Sequence, residues 1–298
     1  MNTVQEKTDL ESPSVFGLHR AWHAKINLEY ASQPHKTVLE DMSFSGPLRV
    51  QRPFYPEGAC CHTYLLHPPG GMVSGDKIDI AIKTKMNSHA LITTPSAGKI
   101  YGTDSLDIAQ HQVVNIEAEP NSIVEWLPQE NILFNRAKAR LATKIELAKG
   151  AKLIAWDMLS FGRPAGGYWF ETGSLQQQFS LYYNNEPMAI ENFSTDPALQ
   201  VLKSNVGLMG YLNMGSFYII GDTPEAALEI IREAIAPHSY RKVGQDLLVA
   251  ASQKSELVVV RALARNAEQL RLMFIDIWHK VRRNSLGSDA CMPRIWLT

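Results

Sequence analysis

Thiol and imidazole are the donors transition metals prefer, and Cys60-Cys61-His62 places three of them in a row. On a strand, Cys60 and His62 face one side and Cys61 the other. No second Cys or His cluster stands at a zinc-site spacing, and Cys291 is far along the chain. The nine histidines are scattered singly, with no i, i+4 pair beside a carboxylate on a helix. The triplet therefore reads as ordinary buried cysteine, and no stable metal site is expected. A second candidate, Thr93-Thr94-Pro95-Ser96-Ala97-Gly98-Lys99-Ile100, echoes a phosphate-binding loop in its Gly-Lys pair. Thr93 stands where the first glycine is required, and Ile100 replaces the hydroxyl residue that would bind magnesium, so this is no nucleotide cradle. No nucleophile-elbow sequence and no dinucleotide glycine fingerprint is present.

The elements that would position any site are mostly strands. Trp22, Ala24, Ile26, Leu28 and Tyr30 alternate with His23, Lys25, Asn27 and Glu29; Ile78, Ile80 and Ile82 repeat the pattern. So do Ala139, Leu141, Thr143, Ile145 and Leu147, and again Leu175, Gln177, Phe179, Leu181 and Tyr183. One-sided strands of this kind suit antiparallel or stacked sheets with a wet outer face. Turn signals at Pro68-Pro69-Gly70-Gly71, Met86-Asn87-Ser88, Lys149-Gly150 and Asn184-Asn185 separate them, and no helix is expected between residues 20 and 220. The period then changes. Thr223-Pro224-Glu225 opens a helix whose Leu228, Ile231 and Ile235 share a face until Pro237. Leu247–Ala251 and Leu257–Ala264 read as strands. A second helix follows, with Asn266 and Gln269 as a capping box, an apolar stripe of Leu270, Phe274, Ile277 and Val281, and Gly287 beyond its end. The expectation is one domain over 1–298: a β-rich body over about 20–220 and a strand–helix part over about 221–298.

Composition removes several classes. Net charge is −1 and the pI about 6.8, which is not the basic footprint of a nucleic-acid binder. The basic cluster Lys280, Arg282 and Arg283 reads as cations complementing a helix C-terminus. The start, Met1 to Asp9, lacks the charge and apolar run of a signal peptide, and no apolar stretch reaches membrane-spanning length; Leu257-Val258-Val259-Val260 ends at Arg261. Three cysteines cannot build a secreted disulfide framework, so a cytoplasmic location is expected, with no membrane and no nucleic acid.

Four dense loop blocks exceed what a β-scaffold needs: Arg52–Gly58, His67–Asp76, Glu125–Asn131 and Phe161–Gly167. In this order, with Thr93-Thr94-Pro95, Lys99, Tyr101, Asp157 and the terminal Pro293-Arg294-Ile295-Trp296, they resemble the UreD (UreH) family of urease accessory proteins from about Arg20 to the end of the chain. Ser74 and Ser96 stand where that family carries glycine, Gly98 where it carries threonine, and Tyr168 where many members carry glutamate. The resemblance implies an elongated, stacked-sheet, β-solenoid-like body with two C-terminal α-helices. It also implies a non-catalytic scaffold that binds UreF, which docks the GTPase UreG, and that associates with apo-urease, with a dimer possible through that accessory complex. GTP hydrolysis would belong to UreG. No cofactor would be tightly bound, and Ni2+ would pass in transit along a polar passage. Such a passage needs weak oxygen ligands, because Cys/His cages would trap the ion. Asp76, Glu125, Glu130, Asp157 and Glu171 are the carboxylates in or near the family-like blocks and are the residues expected on the nickel route; an ordinary paired carboxylate is the plainer reading of each one alone. Asp76, after a Gly- and Pro-constrained loop, is the sharpest of these. A β-solenoid carbohydrate-active enzyme using paired carboxylates is the alternative function.

Overall fold

A computed structural model describes residues 21–195, 200–238 and 245–297. The readings made at Met1 to Asp9 and at Arg20 lie outside the described residues. The chain opens with an antiparallel hairpin, β1 (His23–Gln33) and β2 (Lys36–Ser45). The short β3 (Arg49–Val50) then edges β4 (Cys61–Leu66). From there the chain winds between two sheets. β5 (Lys77–Thr84) joins the first, and β6 (His89–Thr93) and the short β7 (Gly98–Ile100) the second. The next turns are β8 (Gln110–Ala118), then β9 (Ile123–Leu127) with β10 (Asn131–Leu133), then β11 (Lys138–Leu147) and β12 (Lys152–Arg163). After β13 (Tyr168–Trp169), the pair β14 (Ser174–Tyr183) and β15 (Glu186–Ser194) closes the first sheet antiparallel.

That sheet has seven strands in the order β15-β14-β11-β8-β5-β1-β2. The second sheet is extended by β16 (Asn213–Ile220), β17 (Leu247–Lys254) and β18 (Leu257–Ala264), giving eleven strands with main order β17-β18-β16-β12-β9-β6-β4-β3. The expected mainly-β, stacked-sheet body is present. The winding resembles a solenoid only where neighbours run parallel, along β1-β5-β8-β11-β14 in the first sheet and β4-β6-β9-β12 in the second, and the sheets do not close on themselves.

Helices α2 (Pro224–Ile235) and α3 (Ala267–Leu286) cover the outer face of the second sheet, so the layers run sheet, sheet, helices. This arrangement explains the two sequence patterns. The first sheet has one wet face, hence clean alternation: Ala24, Ile26, Leu28 and Tyr30 are buried, as are Ala139, Leu141, Ile145 and Leu147. Trp22 lies just before β1 and is exposed. The second sheet is covered on both faces, so its strands read as continuous apolar runs. Along β12, Leu153, Ala155 and Leu159 enter the inter-sheet core, while Ile154, Trp156 and Met158 face the helices.

Both C-terminal helices form where the pattern places them, with their apolar faces buried. Asn266 caps α3 by accepting from the Glu268 amide at 2.7 Å, and Gly287 ends it at φ 78°. Thr223 does not cap α2; its hydroxyl donates to the Asn284 carbonyl at 3.0 Å and ties the start of α2 to the end of α3. One turn of helix, α1 (Gln200–Lys203), falls in the stretch expected to hold none. Gly98 has a plain structural cause: β7 lies so close to β10 that a Cβ would sit 2.2 Å from the Asn131 side-chain oxygen.

Candidate functional site: two carboxylates at core positions

The second sheet carries two carboxylates where the strand period demands apolar side chains. On β9, Val124 and Trp126 enter the inter-sheet core, which turns Glu125 and Leu127 toward the helices. On β12 the inter-sheet positions run Leu153, Ala155, Asp157, Leu159. A buried carboxylate must be paired or it costs several kcal/mol, roughly. Glu125 is fully buried and Asp157 half-buried, and the two meet this demand in opposite ways.

Glu125 is fully buried and fully paired. Its oxygens accept from Arg282 Nε at 3.1 Å, Arg282 Nη2 at 2.9 Å and Trp278 Nε1 at 2.7 Å, and His89 Nε2 lies at 2.8 Å. The same guanidinium clamps Glu57 at 2.6 and 2.8 Å, donates to the Asp289 carbonyl, and shares Glu57 with His62 at 2.6 Å. Arg282 is therefore not a surface cation serving a helix dipole. It is completely buried, and the spacing of Lys280, Arg282 and Arg283 gave no sign of it, because its partners lie 157 and 225 residues away. Burial alone would raise the Glu125 carboxyl, but His89 and Arg282 hold it down at about 2.

Cys60 joins this cluster. The ligand atoms of Glu57, Cys60 and His62 lie within 4.8 Å of one another, as do those of Cys60, His89 and Glu125. The sequence showed Cys60 beside His62 but not this convergence of donors. The carboxylate oxygens are nevertheless taken, and burial with the neighbouring Glu125 and Glu57 pushes the Cys60 thiol well above its ordinary range. The arrangement works as an ion-pair lock between α3 and the second sheet.

Asp157 stands instead beside a cavity of about 220 Å3 between β14–β15 and β12, β16 and β18. Gln177 donates to it at 2.7 Å, and no cation pairs with it among the described residues. Burial pushes its carboxyl up to about 6, against the Gln177 hydrogen bond and with help from Glu191. Ser216, directly across from Asp157 on β16, adds a hydroxyl, and Tyr218 adds a phenol whose pKa burial and Glu191 drive up. Glu191 lies in the same cavity and pairs with Arg261 at 2.5 Å. Among the described residues the lining offers oxygen donors and no Cys or His. Such a set holds a divalent cation loosely. Sequence reading missed Glu191 and Arg261 as site residues; Glu191 sits on β15 of the first sheet, Arg261 interrupts the apolar run of β18, and only the stacking of the sheets brings them to Asp157.

The other three sequence-picked carboxylates are dispersed. Asp76 accepts from the Trp22 amide through Oδ1 and the Val73 amide through Oδ2, both at 2.8 Å, and so caps its own turn. Asp76→Ala is expected to cost about 1 kcal/mol, read as a lower urea midpoint, while Asp76→Asn keeps one of the two bonds and loses less. Glu130 is half-buried beside β10, and its carbonyl accepts from Gly98 at 2.9 Å. Glu171 is exposed, with Asn135 Nδ2 at 3.4 Å. The loop blocks do converge: His67, Pro68, Gly70, Lys99, Trp126 and Gln129 line one further cavity of about 180 Å3. Tyr168 packs edge-on against Phe134 at 5.7 Å. The terminal Trp296 packs on Trp156 and Trp278, each at 5.5 Å, and donates to Thr93 at 2.9 Å.

The family model described as UreD urease accessory protein matches residues 23–297. The urease accessory protein UreD of Pseudoalteromonas translucida is 37% identical, covering 99% of this chain and 97% of its own length. Those of Hahella chejuensis and a Marinomonas species are 36% and 35% identical, covering 94% and 93% of this chain and 91% and 90% of their own. A match of this extent, over the strands, the buried lock and the terminal Trp296 alike, means that the chain belongs to the UreD family of urease accessory proteins.

Proposed function

We propose that this urease accessory protein serves urease maturation as a scaffold without catalysis of its own, working in the cytoplasm. It binds UreF, which docks the GTPase UreG, and presents the assembly to apo-urease, while Ni2+ passes through the scaffold without lodging in it. The observation that carries this reading is Asp157, a carboxylate at an inter-sheet position that no cation among the described residues pairs with. Folding alone favours an apolar residue there. An ion in transit needs what the cavity offers: a few oxygens, a rigid wall, and too few donors to retain it.

Of the five carboxylates expected on the route, we place Asp157 at its centre and add Glu191. Glu125 and Asp76 have their oxygens occupied by protein donors, and Glu130 and Glu171 do not line the Asp157 cavity. The pairing of Glu57 and Glu125 by one arginine also speaks against the carbohydrate-enzyme alternative at that site, since neither carboxyl is free to act as an acid. No helix among the described residues is long and apolar enough to cross a membrane.

The test is urease produced with UreF and UreG, with and without this chain, its nickel measured by mass spectrometry. Nickel-loaded, active urease is expected only when the chain is present. Equal nickel in its absence would sink the proposal.

A further inference from the structure

Among the described residues, Arg261 is the one cation lining the cavity that holds Asp157. Its position is dictated by register: Asp157 pairs with Ser216 on β16, and Ser216 pairs with Arg261 on β18. The three residues form one row across the sheet, and at the usual strand spacing Arg261 stands roughly 10 Å from Asp157 on the same face. Its guanidinium reaches across to the other sheet and pairs with Glu191 at 2.5 Å. The Arg261 side chain is 58% exposed and Glu191 27%, so this pair forms the rim where the cavity meets solvent.

An exposed pair of this kind contributes little to stability, on the order of 0–1 kcal/mol. Its effect on a cation is larger. With Arg261 in place, Glu191 has an oxygen committed to the guanidinium, and a divalent ion entering would meet a like charge at the rim. With Arg261 turned outward, two carboxylates and the Gln177, Ser216 and Tyr218 oxygens face the same space. The attraction between a divalent ion and the walls then rises steeply, because partial burial weakens screening.

Resting on the proposed nickel route, we propose that Arg261 is its gate: a resident counter-ion that occupies Glu191 and keeps the cavity closed to divalent cations until its guanidinium is drawn away. A carboxylate on the surface of a docked protein is the chemistry that would draw it, since a bidentate carboxylate partner compensates arginine as well as Glu191 does. Arg261 is thus a positioning residue, acting on the ion through Glu191.

The experiment is calorimetric titration of the tag-free full chain with Ni2+ alone, comparing wild type, Arg261→Gln, Asp157→Asn and the double variant. Arg261→Gln is expected to fold as wild type by urea denaturation and to bind Ni2+ about tenfold more tightly. That gain should vanish in the double variant, which separates the cavity from other surface donors. A merely structural role for Arg261 would move the urea midpoint and leave the affinity unchanged. Unchanged, weaker or unmeasurable Ni2+ binding by Arg261→Gln overturns the gate. A gain that survives Asp157→Asn overturns it too, because the ion would then be held elsewhere. The route itself is judged separately, by urease nickel with Asp157→Asn: normal loading there removes the route and the gate with it, whereas lost loading beside an unaltered Arg261→Gln affinity removes only the gate.

Discussion

Arg282→Ala is expected to lower the stability of the chain by about 3–5 kcal/mol. The guanidinium is buried between two carboxylates, both of which also lean on histidines. Removing it strands Glu125 at 0% exposure with His89 and Trp278 as its remaining donors, and leaves Glu57 with His62 alone. Arg282→Lys does not rescue, because a point-charge ammonium cannot fork to both carboxylates. A triple replacement, Arg282→Met with Glu125→Gln and Glu57→Gln, should recover part of the loss, since no charge is then buried unpaired and the amide oxygens still accept from Trp278 and His62. Urea unfolding of the three variants distinguishes an ion-pair lock from simple volume loss. The acid dependence follows from the same contacts. Glu125 titrates at about 2 when folded and near 4.5 when free, so its contribution is complete above pH 4.5 and disappears as the pH falls toward 2. In Arg282→Ala the Glu125 carboxyl rises toward or past its free value, so its share of the acid-driven loss of stability should shrink.

Asp157→Asn is expected to reduce nickel in co-produced urease by an order of magnitude or more while leaving the complex with the accessory partners assembled. The substitution keeps the shape and the hydrogen bond to Gln177 and removes only the charge. Its effect on stability runs the other way. A carboxyl raised by burial to about 6 is ionised at pH 7.5 at a cost to the fold, so the amide should stabilise the chain by roughly 1–2 kcal/mol there and by less below pH 6. A more stable protein that loads less nickel is the signature of a residue retained for transport. Lower stability together with lost assembly would mark Asp157 as a packing residue instead.

How much of this was legible in the sequence depends on distance along the chain. Period-two alternation places the strands of the first sheet, and Pro224, Asn266 and Gly287 punctuate the helices close to where they occur. Asp157 and Glu125 were visible as carboxylates within family-like blocks, and Leu-Ile-Ala-Trp-Asp-Met-Leu shows a charge inside a run apolar on both faces. That this charge faces a cavity, while Glu125 faces an arginine, depends on which sheet face each residue takes and what is stacked there. Glu191 is 34 residues from Asp157 and Arg261 is 70 residues from Glu191, so no local spacing could link them. The same holds for Arg282, whose helix is docked by partners from the first half of the chain. Asp76 shows the converse: a loop tight enough to suggest a functional carboxylate is one in which that carboxylate is needed to close the turn.

The order of synthesis makes the placement of α3 consequential. The outer face of the second sheet, from Leu91 to Met158, leaves the ribosome well before the helix that covers it, about 120 residues separating the end of β12 from the end of α3. At roughly 5–20 residues per second, translation leaves that apolar face uncovered for about 6–25 s. Arg282 arrives last, so Glu57 and Glu125 wait throughout that interval for the cation that completes them. A chain interrupted between β12 and α3 would present Trp156, Leu127 and two uncompensated carboxylates together, the kind of surface that self-associates or engages a holding chaperone.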